Sequence, residues 1–76
     1  MQRAIVYFNG MDKVERIIVD FDCIKSTGMF LICQNLSDGR LVLINKDHVL
    51  KIELDNMDID EYKGKYGVES IRFYDM

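Results

Sequence analysis

Residues Met29–Asn45 read MFLICQNLSDGRLVLIN, two apolar runs joined at Asp38-Gly39. Gly tolerates the positive φ that a tight primed turn requires, so the stretch reads as a β-hairpin. With Asp38-Gly39 as the loop, Leu36 faces Leu41 and Cys33 faces Ile44. Phe30, Ile32, Leu36, Leu41 and Leu43 then share one face, and Met29, Leu31, Cys33, Val42 and Ile44 share the other. A lone antiparallel sheet normally keeps one face polar. Here both faces are apolar, so each must be covered by another segment, by a second copy or by a partner.

Little chain is left to do the covering. The 76 residues make a single domain, 1–76, near the lower end of what folds without staples. A hydrophobic share of 49% with a net charge of only −3 is globular rather than disordered. No apolar run approaches the ~20 residues that span a bilayer. The opening MQRAIVYFNG holds too short an apolar stretch for a secretory leader. The expectation is a cytoplasmic protein that does not enter membranes. Cys23 and Cys33 both lie in apolar runs, where a free thiol behaves as a small hydrophobe. Free thiols fit a reducing compartment.

Ala4–Phe8 is a β-rich run ending at the turn dipeptide Asn9-Gly10. Val14–Ile24 alternates as a half-buried strand, with Ile17, Val19, Phe21 and Cys23 on one face and Arg16, Asp20 and Asp22 on the other. Lys25–Gly28 reads as a turn. After the hairpin, Asn45–His48 is a polar break suited to one tight or 3₁₀ turn. Val49–Leu54 resumes as a strand, with Leu50, Ile52 and Leu54 inward. Asp55–Glu61 reads as an acidic loop or one helical turn, and Gly64 and Gly67 disfavour a longer helix. Val68–Tyr74 reads as a final strand, a candidate cover for the hairpin through Ile71 and Phe73.

Short strands with tight turns predict an all-β fold: a five- to six-stranded antiparallel barrel or sandwich, with at most one short C-terminal helical turn. Over Gly39–Glu53, the strand LVLIN, the turn KDH and the strand VLKIE together resemble SH3-like small barrels. In those barrels a 3₁₀ turn joins the last two strands in this way. The resemblance implies an architecture and no activity. The chain has no Trp and no Pro, so it departs from the peptide-binding version of that fold.

The candidate chemistry is thin. His48 is the single histidine, and Asp47 is its neighbour in sequence only. Cys23 and Cys33 have the wrong spacing for a redox or zinc pair and no neighbouring cation to activate them. Counted from Asp58, an EF-hand loop would place Asp60 third and Glu69 twelfth, but Tyr62 and Lys63 occupy positions that such a loop cannot give up. Asp20 and Asp22 read as a solvated strand face. The sequence therefore implies no enzyme, no cofactor and no metal.

What remains is binding. The preferred reading is a protein–protein interaction or self-assembly module, a homo-oligomer or a partner-docking domain, using Leu31, Cys33, Val42 and Ile44, with the opposite hairpin face as the substitute. The alternative is a nucleic-acid-binding barrel using Tyr62, Lys63, Lys65 and Tyr66, which interleave stacking rings with cations. The thirteen acidic residues set against ten basic ones weigh against it. A small inhibitor docking on a larger target is the second alternative.

Overall fold

A computed structural model describes residues 1–67 of the chain. The strands are β1 Arg3–Asn9, β2 Val14–Asp20, β3 Lys25–Thr27, β4 Phe30–Gln34, β5 Leu41–Asn45 and β6 Val49–Leu54, followed by the helix α1, Ile59–Tyr66. Single 3₁₀ turns at Phe21–Cys23 and Lys46–His48 join β2 to β3 and β5 to β6. The strands form two three-stranded antiparallel sheets, ordered β2-β1-β6 and β3-β4-β5. The all-β expectation holds, but not in its closed-barrel form. Among the described residues one isolated bridge, Val19↔Asn35, links the sheets.

The core lies between the inner faces. β1 contributes Ala4 and Val6, β2 Val19, β4 Leu31 and Cys33, β5 Ile44 and β6 Val49, with Phe21 and Tyr62 closing one end. Alternation along each strand delivers these side chains, because successive Cβ atoms point to opposite faces. The Val49–Leu54 strand forms as expected, but Leu50 is exposed and Val49 buried. The pairing runs Tyr7↔Lys51 and then Phe8↔Val49, so a bulge inserts one residue and hands the inward position to Val49.

Three local readings need correcting. First, β2 stops at Asp20, and Phe21–Cys23 turn away as a 3₁₀ helix. The Asp20 carboxylate accepts the Asp22 amide at 3.0 Å, a local bond that competes with the sheet ladder. Phe21 is thereby swung into the core, whereas Cys23 is exposed. Second, Lys25–Thr27 is an edge strand, and the turn falls at Gly28-Met29. Third, the hairpin loop is wider than Asp38-Gly39. Asn35 and Arg40 close it, the Asn35 amide donating to the Arg40 carbonyl at 2.9 Å. Asn35 also caps Ser37, its side-chain oxygen accepting that amide at 2.9 Å, and Leu36 N–H donates to Ile18 of β2. These bonds draw the loop base toward β2, while Gly39 keeps its positive φ of 75°. Cys33 consequently pairs with Val42 and Leu31 with Ile44. The slip is two residues, so each side chain keeps its face.

The tail also departs from expectation. Asn56 turns the chain with φ 59°, and the Asp58 carboxylate then accepts the Glu61 amide at 2.7 Å, capping α1. The helix passes through Gly64 at a cost of about 1 kcal/mol relative to Ala. Tyr62 enters the core here, its ring gaining about 2 kcal/mol of apolar burial while its hydroxyl is buried with no hydrogen-bond partner among the described residues. Gly67, with φ 82°, ends the helix. The Val68–Tyr74 reading, with Ile71 and Phe73, lies outside the described residues.

Candidate interaction surface

The outer faces of the two sheets differ in kind. On the first sheet, the register places Ile5 beside Ile18 and Glu53, and Tyr7 beside Arg16 and Lys51. Lys51 Nζ lies 2.7 Å from Glu53 Oε1 and 4.7 Å from the centre of the Tyr7 ring, and the Tyr7 hydroxyl donates to Glu53 at 3.3 Å. This face mixes the charged Tyr7–Lys51–Glu53 cluster and Arg16 with Ile5, Ile18 and Val14.

On the second sheet the outer rows read Thr27–Phe30–Asn45, Lys25–Ile32–Leu43 and Gln34–Leu41. Phe30, Leu41 and Leu43 are 39%, 70% and 58% exposed, and Ile32 between them is half-buried. Lys25 is the one charged side chain that the register puts on this face. The β5 edge, unpaired among the described residues, adds to it. Bonds at Arg40 and Lys46 turn the even-numbered positions of β5 toward β4, so the backbone groups of Leu41, Leu43 and Asn45 point away from the sheet.

The residues first assigned to this surface sit elsewhere. Leu31 and Cys33 are each 1% exposed, Ile44 is buried and Val42 is half-buried, all on the inner face. They form the core, and the opposite hairpin face is the exposed one. Polar side chains at the strand ends carry the signal that separates the two. Lys25, Thr27, Gln34 and Asn45 share a face with Phe30, Ile32, Leu41 and Leu43, whereas on the face of Leu31, Cys33, Val42 and Ile44 the strands of this sheet place only Ser26 as a polar neighbour.

The aromatic–lysine stretch is likewise packed rather than presented. Phe21 meets Tyr66 edge-on with ring centres 5.1 Å apart and Tyr62 at 6.0 Å, while Lys63 is exposed. Asp22 holds the helix from the other side. It accepts from the Tyr66 hydroxyl and the Gln2 amide, and lies 3.2 Å from Lys65 Nζ. The Tyr66 bond, supported by Lys65, holds the Asp22 carboxyl below its ordinary range. The latch is therefore intact at neutral pH and loosens only in strong acid.

His48 is exposed in its turn. Among the described residues, no three His, Cys, Asp or Glu side chains gather as metal ligands. The two thiols are free and differ in environment. Burial pushes Cys33 up to about 11. Cys23 donates to Asp20 Oδ2 at 3.2 Å, and that carboxylate raises the thiol above its usual value. Because the thiolate is the nucleophile, both are expected to react slowly with a disulfide reagent at pH 8. Cys23 should react first, faster in Asp20→Asn, and Cys33 only on unfolding. Equal rates at the two cysteines of the folded protein would contradict this placement.

No helix among the described residues is long and apolar enough to cross a membrane. No protein family, curated protein or solved structure matches the chain.

Proposed function

We propose that the protein is a non-catalytic self-assembly module whose interface is the outer face of β3-β4-β5. One observation carries this reading: Phe30, Leu41 and Leu43 stand exposed around Ile32 on one sheet, beside a strand edge that no other described strand pairs with. Contiguous exposed apolar surface marks interfaces, and a free edge accepts another chain. The 3₁₀ turn between β5 and β6 supports the SH3-like resemblance over Gly39–Glu53, which bears on architecture alone. The cytoplasmic setting belongs to the same proposal and rests on the two free thiols.

The size of the patch sets the strength. Three exposed side chains make a small patch, so the assembly is a weak one, to be followed between roughly 10 μM and 1 mM. Light scattering across that range should show a mass rising with concentration, and Leu43→Asp should hold it at one chain while circular dichroism stays unchanged. A wild-type mass fixed at one chain to ~1 mM would end the proposal. The nucleic-acid alternative keeps no observation in its favour, since Tyr62 is buried and Tyr66 lies against Phe21.

A further inference from the structure

Resting on the proposed self-association, we infer that the occupant of the sheet face is the N-terminal end of α1 from a second copy, so that the assembly runs head to tail. The argument is charge complementarity around a matching apolar knob. Ile59, the first residue of α1, is 56% exposed, and exposed Asp55, Asp58, Asp60 and Glu61 surround it in sequence before the first cation at Lys63. The sheet face carries Lys25 beside Ile32 and no carboxylate within its strands. Arg40 and Lys46 stand at the two ends of β5, with Asp38 and Asp47 next to them in the turns.

The other exposed apolar side chains among the described residues fit less well. Met11 and Val14 sit at a tip where Lys13 accompanies Asp12 and Glu15, Leu50 adjoins Lys51, Met1 lies by Arg3, Leu36 has Asp38 with Arg40, and Met29 has no charged neighbour in its turn. A face-to-face pairing of two sheet faces would set Lys25 of each copy against a cation-bearing, acid-free face. Among the described residues, the α1 end is the one place where an exposed apolar side chain is framed by several carboxylates with no cation before Lys63. It projects from a different part of the chain than β3-β4-β5, so the contact is heterologous and each copy has one donor end and one acceptor face.

This geometry makes a complementation test decisive. Ile59→Asp spoils the donor end alone, placing a carboxylate that the start of a helix tolerates. Leu43→Asp spoils the acceptor face alone. Each variant by itself should scatter as a single chain at concentrations where the wild type associates. Mixed in equal amounts they should give a species of twice the single-chain mass and nothing larger, because the intact end of the Leu43→Asp chain seats on the intact face of the Ile59→Asp chain. Added salt should reduce the fraction in that species, as screening weakens the charge contacts. If Ile59→Asp associates as the wild type does while Leu43→Asp does not, the sheet face is the interface but α1 is not its occupant. A mixture that stays monomeric also overturns the head-to-tail arrangement. A wild type that never associates removes both this inference and the reading beneath it.

Discussion

Phe21→Ala is expected to lower stability by about 3–5 kcal/mol, the range for a buried aromatic truncated in a core. Phe21 is 4% exposed, and both Tyr62 and Tyr66 rest on it. Its removal leaves a cavity and also takes away a platform for α1. A domain of this size holds roughly 4–11 kcal/mol in total, so the loss is a large share. The chain has no Trp and four Tyr, which makes tyrosine emission the natural probe of urea unfolding. With a slope of about 1 kcal/mol per M, the midpoint should fall by about 3 M, and the tyrosine signal should change no later than the circular dichroism of the strands. A midpoint within ~0.5 M of the wild type would show that Phe21 does not anchor the helix.

The second large effect separates the two hairpin faces. Leu31→Ala is expected to cost about 3 kcal/mol, because Leu31 is fully enclosed and its loss leaves a void. Leu41→Ala, on the other face of the same hairpin and 70% exposed, should change the stability of the dilute monomer by less than ~0.5 kcal/mol. In concentrated solution the order of effects on assembly reverses: Leu41 matters and Leu31 acts only through folding. Equal destabilisation by both substitutions, measured by denaturant unfolding at low concentration, would contradict the assignment of inner and outer faces.

That assignment is where the sequence was least legible. Grouping Phe30, Ile32, Leu41 and Leu43 on one face and Leu31, Cys33, Val42 and Ile44 on the other followed from alternation, and it survived a loop two residues wider than Asp38-Gly39 implied. Parity does not say which group points inward. That depends on where the first sheet packs, a non-local fact carried by Val19↔Asn35 and the Leu36-to-Ile18 bond. The 3₁₀ turn at Lys46–His48 was legible because Asn45 caps Asp47 locally, at 2.9 Å. One short helical turn was legible after Asp55, but the run of the helix through Gly64 to Tyr66 was not, for a physical reason. Its glycines argue against it, while the signals in its favour are a cap at Asp58 and two tyrosines one turn apart, whose value appears only when Phe21 is there to receive them. The end of β2 at Asp20 turned on a single side-chain bond to Asp22, which alternation along Val14–Ile24 hides.

The functional reading stands on the contrast between the two outer faces. The first sheet lays the Tyr7–Lys51–Glu53 network over part of its outer side, beside Ile5, Ile18 and Val14, whereas the second has Phe30, Leu41 and Leu43 exposed with Lys25 as the one charge its register places there. A chain this small has little apolar surface to spare, so three large exposed side chains on one sheet face point to use rather than accident.

The most direct measurement is a dilution series followed by methyl NMR between about 10 μM and 1 mM, the range in which so small a patch should associate. The account predicts that the methyl resonances of Ile32, Leu41 and Leu43 move progressively with concentration while those of Leu31 and Val6 stay in place. Methyl positions at Leu41 and Leu43 that do not change anywhere in that range would contradict it.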